Sequence, residues 1–493
     1  MKKIEQLNFC NSYSRLPDEF FSQVNPTPLK NPFFINLNTD VAELLELDVN
    51  QQHLPDTLRY LSGQSVLPQM KPLAQCYAGH QFGHFVPRLG DGRAISLGEI
   101  KTSQNTKWDL QIKGGGQTAY SRDGDGRAVL RSTIREYLCS EAMHALGIET
   151  TRALCIIGSE EEVYREQIET GALLLRTAPS HVRFGSFEYF YYSNQHDHLD
   201  ILADHVIDHH YPSLRDQNQP YLGLLETIID KTASMIAQWQ SVGFAHGVMN
   251  TDNMSVLGLT LDYGPFGFLD AYDPSYICNH SDHQGRYAFN KQPDIGLFNV
   301  SCLAQAMLPV LDPTAEQAVE QARHAIAQYN ERFISHYASC MRSKLGLQQT
   351  MKDDQALCQG LLDLMEEDKV DYTILFRRLC HFSTSTDNRS IRDLFIQREK
   401  FDHWSNLYRA RLEQESTPEN QRKENMKRCN PKYILRNYMA EIAIRKAEDN
   451  ADYSEIELLL NLLKKPFEEQ DEYSSYADFP PDWAGRISVS CSS

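Results

Sequence analysis

Near residue 186 the chain changes its hydrophobic period, and that change constrains the fold more than any other feature. From about 73 to 185, short apolar runs alternate with turn residues: AISLGEI (94–100), WDLQIKG (108–114), RALCIIG (152–158) and ALLLRTA (172–178). Runs of this length, punctuated by Gly and Asp, read as strands. One helix interrupts them. In AVLRSTIREYLCSEAMHALG (128–147), Leu130, Ile134, Leu138, Ala142 and Ala145 share one face, and Gly147 can supply a left-handed stop. After 186 helical spacing takes over. Leu225, Ile228, Ile229, Met235, Ile236 and Trp239 form one stripe in 221–243, and Gly243 ends it. A glycine-rich, mostly non-helical passage is expected over 244–300, then helices to about 465. Residues 1–70 are Pro-broken, with one helical pattern at 41–47. The order predicts an α+β fold: a strand-rich N-terminal lobe (1–185) with one key helix, and a helical C-terminal lobe (186–493) with a C-terminal helical extension. A cleft is expected between them.

Composition narrows the partners. Lys plus Arg is 48 against 66 Asp plus Glu, a formal net charge of −18. Such a chain does not grip nucleic acid or an anionic membrane through its overall field. No stretch reads as approaching the ~20 apolar residues of a bilayer span, and MKKIEQLNF lacks the apolar core of a secretory signal. The eleven cysteines contain no Cys-x-x-Cys pair, so they read as reduced thiols of a cytoplasmic protein and offer no zinc framework. Nothing in the sequence demands more than a monomer.

Four constellations carry chemistry. LGDGRAISLGE (89–99) can form a flap whose backbone N–H groups meet phosphates, although Asp-Gly is also a favoured hairpin turn. Lys113 closes a strand and Glu136 lies on the helix that follows. A strand lysine held by a helix glutamate can aim an ammonium at nucleotide phosphates; the plain alternative is a solvated pair. HGVMNTDN (246–253) is followed by Asp262 in LDYGPF, and Asn253 and Asp262 can converge on one Mg²⁺, which takes oxygen ligands and shares them with phosphates. In order, these residues match a kinase-like nucleotide site, with one departure. Protein kinases carry an Asp two residues after the loop His; here that residue is Val248, and the loop carboxylate is Asp252. Either the chain is an inactive kinase relative, or Asp252 is the base in altered geometry.

The fourth constellation is basic: Arg93, Arg127, Arg176 and Arg183. Arg176 ends the last strand of the N-terminal lobe, where an ordinary kinase has an apolar adenine slot. A guanidinium there fits a phosphate through paired hydrogen bonds, which would turn the nucleotide end for end. The alternative is that Arg176 and Arg183 are ordinary surface arginines. Three decoys fail. GGGQTA (114–119) is not followed by a helix N-terminus. Asp123-Gly124-Asp125-Gly126 puts Ser132 where a calcium loop needs its bidentate Glu. HQFGH (80–84), with Cys76, lacks the Glu of a zinc protease.

The segments YAGHQFGHFVPRLGDGRAISLGE (77–99), WDLQIKGGGQTAYSRDGDGRAVLRSTIREYL (108–138), LLRTAPSHVRFGSFEYF (174–190), FAHGVMNTDNMSVLGLTLDYGPFGFLDAYDP (244–274) and PPDWAGRISVSCSS (480–493) resemble the selenoprotein O family of protein adenylyltransferases. The resemblance runs across nearly the whole chain. It implies a protein-kinase-like bilobal fold, ATP bound in a flipped pose, and AMP transfer to Ser, Thr or Tyr hydroxyls of acceptor proteins. It implies that Gly90, Gly92 and Arg93 contact the nucleotide from the flap. Lys113, Asp125, Gly126, Arg176 and Arg183 would hold phosphates, with Glu136 orienting Lys113. Asn253 and Asp262 would hold Mg²⁺, and Asp252 would accept the proton. UTP with Mn²⁺ is the alternative donor and metal; an ordinary phosphotransferase and an inactive nucleotide-binding scaffold are the alternative functions. Eukaryotic members carry selenocysteine at the place of Cys491, so a reversible disulfide between Cys491 and Cys278 is the regulatory expectation, against a free tail thiol and a buried Cys278.

Overall fold

The computed structural model describes residues 1–385 and 387–490. Twelve strands are assigned among them: β1 Phe21–Gln23, β2 Phe33–Leu37, β3 Leu73–Gln75, β4 Gly79–Gln81, β5 His84–Val86, β6 Ala94–Lys101, β7 Lys107–Lys113, β8 Ala128–Val129, β9 Arg152–Tyr164, β10 Ile168–Ala178, β11 Phe244–Ala245 and β12 Gly267–Phe268. Eight form one sheet in the order β1-β3-β6-β7-β10-β9-β2, with β8 on β10. The period of two along its strands sorts side chains to two faces. Leu173 and Leu175 of β10, with Leu110 and Ile112 of β7, pack under the N-terminal segment against Ile4, Leu45 and Leu61. Ala172 and Leu174 face the other way and meet Leu130, Ile134 and Leu138.

Those last three residues belong to the Leu130–Ala145 helix. Ala128 and Val129, expected in this helix, instead form β8 on β10. The helix packs on the sheet and on the Asn437–Asn450 and Ser454–Leu463 helices, so one buried cluster runs from the sheet into the helical part. A second core cluster, around Leu361, Tyr372, Trp404 and Tyr408, lies within the helices beyond 340. The strand-then-helix order agrees with the sequence reading, and β9 and β10 are longer than their apolar runs.

Three expectations are corrected. The segment Leu89–Arg93 is not the turn of a hairpin: β5 pairs with β4, whereas β6 pairs with β3 and β7. The non-helical passage ends at Gln292, where a helix runs to Leu311. By length and composition, Phe289–Leu311 is apolar enough to cross a membrane. In the fold it is a core helix: Val300, Leu303, Ala304 and Met307 are fully buried, and Gly296 admits the Tyr329 hydroxyl where a Cβ would stand 2.1 Å from it.

Candidate active site

Period two also builds the floor of the cleft. On β7, Gln111 and Lys113 alternate with Leu110 and Ile112; on β10, Arg176 follows Leu174 by two. Gln111 and Arg176 are cross-strand partners, and both N–H groups on one edge of the Arg176 fork, Nε and Nη2, donate to Gln111 Oε1 at 2.8 and 2.7 Å. Arg176 Nη1 donates to Glu136 Oε1 at 2.8 Å and also to Asp262. Lys113 Nζ bridges Glu136 Oε2 and Asp262 Oδ1, the latter at 2.9 Å. Arg183 Nη1 lies 3.4 Å from Asp262 Oδ2. Arg176 and Arg183 are each 2% exposed, so neither is a surface arginine. Burial opposes charge on Asp262, but Arg176, Lys113 and Arg183 outweigh it and hold the carboxyl well below its ordinary range.

The cleft above this floor has a volume of about 660 Å³, within the span of nucleotide-sized sites. Gly90, Gly92 and Arg93 line one wall, and Asp125 and Gly126 line the mouth. Two glycines are required by contact. Gly90 has φ +82°, and a Cβ there would fall 2.3 Å from Cγ of Tyr120; Gly126 has φ +70°, and its Cβ would fall 2.1 Å from the Gly116 carbonyl. The Thr118 hydroxyl donates to the Asp91 carbonyl at 2.6 Å and Ser121 to the Gly92 carbonyl, stitching the 114–127 loop to the flap.

The side chain of Asp125 does not fit the role of phosphate holder. Its carboxylate carries the sign of a phosphate and already accepts from Arg165 Nη1 and Nη2 at 2.7 and 3.0 Å. Arg127, grouped with the basic residues by sequence, points its fork at Glu161 Oε1 and the Thr27 carbonyl, at 2.8 and 2.7 Å.

Asp252 and Asn253 sit in a short 3₁₀ turn, Thr251–Asn253. Asn253 Nδ2 donates to the Val248 carbonyl at 3.0 Å, which closes the 246–253 loop on itself. The Asp252 carbonyl accepts from Arg183 Nη1 at 2.7 Å. Burial pushes the Asp252 carboxyl up to about 6, against the pull of Gln81 and Arg183. Asn253 and Asp262 both line the cleft; an amide oxygen and a carboxylate are the hard donors that Mg²⁺ or Mn²⁺ takes.

Several residues of the site escaped the sequence reading. Asp91, 2% exposed, accepts from the Gln75 N–H at 3.0 Å and the Tyr77 hydroxyl at 3.2 Å, and the Arg183 guanidinium lies over the Tyr77 ring, 4.5 Å from its centroid. Its place inside LGDGR was the available signal. His80, Gln81 and Glu188 contact the 246–253 loop at Thr251 and Asp252; HQFGH reads from sequence only as a failed metal motif. His80, Glu188 and Cys302 bring ligand-type atoms within 4.8 Å of one another. Both Glu188 oxygens are already engaged, one with His80 Nδ1 at 2.6 Å and one with the Thr251 hydroxyl, so the trio reads as a hydrogen-bonded brace.

Cys278 is buried, and its Sγ is 3.5 Å from the Ala245 carbonyl. The His280 N–H donates to the Val489 carbonyl at 2.9 Å, so the C-terminal segment passes beside the Cys278 loop. Cys491 lies outside the described residues.

The family model for "Protein adenylyltransferase SelO" matches residues 3–464. The chain is 54% identical to the "Protein nucleotidyltransferase YdiU" of Thioalkalivibrio sulfidiphilus, over 100% of both chains. Proteins of the same name from Thiobacillus denitrificans and Myxococcus xanthus are 52% and 51% identical, again over 100% of each. A match of this extent and identity settles descent: the chain belongs to the SelO family of protein adenylyltransferases.

Proposed function

We propose that this protein transfers AMP from ATP to Ser, Thr or Tyr hydroxyls of acceptor proteins, on a kinase-like frame divided near residue 185. The observation that carries the reading is the buried guanidinium of Arg176, next to Lys113 on the cleft floor. An adenine ring placed there would set a neutral ring against a cluster of cations and leave their charge unmet. A terminal phosphate offers oxygen acceptors to Arg176, Arg183 and Lys113 together. With the triphosphate tail on the floor, the α-phosphorus faces the acceptor.

The residues then divide the work. Lys113, oriented by Glu136, and the two arginines bind the β- and γ-phosphates and stabilise charge on the departing pyrophosphate. Asn253 and Asp262 would hold Mg²⁺, or Mn²⁺, which when bound supplies charge neutralisation at the phosphates. The acceptor oxygen attacks the α-phosphorus, the bond to the bridging oxygen of pyrophosphate breaks, and Asp252 takes the hydroxyl proton. Its raised carboxyl, near 6, is still largely ionised at neutral pH and is a better base than an exposed aspartate. The cleft supplies alignment of the hydroxyl with the leaving oxygen.

A cytoplasmic location follows from the same reading. Regulation by a Cys278–Cys491 disulfide is part of the proposal, supported by the tail's passage at Val489. Alkylation mapping without reductant tests it; two free thiols under oxidising conditions would exclude it.

The function is tested by incubating the protein with ATP, Mg²⁺ and a panel of soluble proteins, with intact-mass readout. An adenylyl increment on acceptor or enzyme is expected, strongly reduced in both Asp252→Asn and Asp262→Ala. A phosphoryl increment, or an adenylyl increment undiminished in both variants, overturns the reading.

A further inference from the structure

HQFGH fails as a metal motif, yet it packs directly on the catalytic loop. Strands β4 and β5 form a tight hairpin with Phe82 and Gly83 at its turn, both at positive φ (+50° and +83°). Four contacts tie down its first strand and the residues that flank it. The Ala78 N–H donates to the Gly185 carbonyl at 3.0 Å, and a Cβ on Gly185 would stand 2.1 Å from the Ala78 carbonyl oxygen. The His80 N–H donates to the Thr251 hydroxyl at 2.6 Å, and that hydroxyl donates onward to the fully buried Glu188. Glu188 also holds the His80 ring. The Phe82 N–H donates to the Tyr287 hydroxyl at 2.9 Å. This strand is therefore fixed relative to the Thr251–Asn253 turn through both backbone and side chains.

Asp252 is the residue this arrangement surrounds. Its carbonyl is held by Arg183, as described. Its Oδ1 lies against Gly79, where a Cβ would stand 2.8 Å away, and has no hydrogen-bond partner among the described residues. Its Oδ2 accepts from Gln81 Nε2 at 3.1 Å. Among the described residues, no other side chain donates to this carboxylate. The glycine leaves room for it, and the amide sets its rotation. Without Gln81 the side chain would turn freely about its last torsion, because a terminal carboxylate torsion is broad.

We propose that Gln81 is the positioning residue for Asp252: its amide fixes the plane of the carboxylate so that the acceptor hydroxyl meets an oriented proton acceptor. The role rests on Asp252 as the base, and it assigns a task to the β4–β5 hairpin, whose backbone is the rigid mount for that amide. Gln81 lines the same cleft, but the cations assigned to the triphosphate lie elsewhere, Lys113 on β7, Arg176 on β10 and Arg183 at the start of the Phe184–Tyr192 helix, so ATP binding is expected to change little without its amide. Positioning acts on the chemical step, so the loss belongs in kcat.

The test is a double-mutant cycle on the full chain, read by AMP transfer from ATP with KM and kcat separated. Gln81→Leu keeps the bulk of the stem and removes the donor. It is expected to lower kcat by about tenfold to a hundredfold, a fraction of what a general base contributes, with the KM for ATP within about twofold. In an Asp252→Asn background the same change is expected to cost nothing further. Gln81→Glu, which sets a carboxylate against a carboxylate, is expected to fall with Gln81→Leu. Thermal unfolding of each variant, within a few degrees of wild type, separates positioning from stability; Gln81→Ala serves if the leucine variant does not fold. Wild-type kcat in Gln81→Leu, a loss confined to KM, or an undiminished loss in the Asp252→Asn background would each overturn the proposal alone. Full activity of Asp252→Asn itself would overturn the assignment of the base, and Gln81 with it.

Discussion

Asp262 is covered by cations before any nucleotide arrives, and this has a measurable consequence for metal binding. Lys113, Arg176 and Arg183 all contact its carboxylate, while Glu136 shares two of the three. Three cations against two carboxylates leave a local charge near +1, before Asp91, which stands 4.0 Å from Arg183, is counted. Two unit charges 4 Å apart interact by about 4 kcal/mol at an effective dielectric of 20, and a divalent ion doubles that. A free divalent cation therefore meets a site that is neutral or repulsive. A triphosphate reverses the balance: it draws the three cations onto its own oxygens and adds about four negative charges. A hundredfold gain in metal affinity needs only about 2.8 kcal/mol, well inside this difference. The expected result is that Mn²⁺ binds the nucleotide-free protein at least ~100-fold more weakly than it binds the protein saturated with a non-hydrolysable ATP analogue. Linkage requires the metal to tighten the nucleotide by the same factor. Titration of Mn²⁺ by electron paramagnetic resonance, with Asp262→Ala as control, gives the ratio. Equal affinities with and without nucleotide would refute the argument, as would an unchanged ratio in Asp262→Ala.

Three further outcomes are expected. Arg176→Lys loses the fork that spans Gln111 and Glu136; a charged hydrogen bond is worth about 1.5–3 kcal/mol, so kcat/KM for ATP should fall roughly tenfold to a hundredfold, and wild-type kinetics would contradict the phosphate role. Gly126→Ala drives a methyl into the Gly116 carbonyl at φ +70°, and should raise the KM for ATP about tenfold or more while thermal unfolding shifts by only a few degrees; unchanged KM would show that the loop does not touch nucleotide. Burial, with Lys107 and His209 nearby, lowers His210 to about 4 from its ordinary 6.5, so the unfolded chain takes up this proton first as pH falls. Stability is full above 6.5 and is lost towards 4, by at most about 3.4 kcal/mol from this group. Denaturant unfolding at pH 7 and pH 4.5 checks it, and His210→Gln should flatten part of the slope.

The sequence exposed the site as far as local spacing reaches. Lys113 and Gln111 stand on the polar side of an otherwise alternating strand, and Arg176 stands two residues beyond Leu174, so their common face was readable from period two. Glu136 was readable because it falls on the one helix beside that strand. The burial of Arg176 was not, because it depends on Glu136 and Asp262, 40 and 86 residues away along the chain. Gln81 and Asp252 are separated by 171 residues, and no local pattern marks an amide that must meet a carboxylate across such a distance. The hairpin alternative for the flap fails for a related reason: Asp-Gly suits a hairpin, but β6 takes its partners from β3 and β7, and the Thr118 and Ser121 hydroxyls hold Leu89–Arg93 as a loop. Asp125 shows a residue type outweighed by its partner. The family resemblance implied a place among the phosphate ligands, and Arg165 claims its carboxylate.

The orientation of the nucleotide is the central claim, and one labelling experiment reads it directly. The protein is incubated with Mg²⁺, an acceptor protein and ATP labelled in parallel on the α- or the γ-phosphate, and the acceptor is separated and counted. Label retained from the α position and absent from the γ position is the expected result. Label retained from the γ position alone would mean an ordinary phosphotransferase, and the argument from the buried Arg176 would fall.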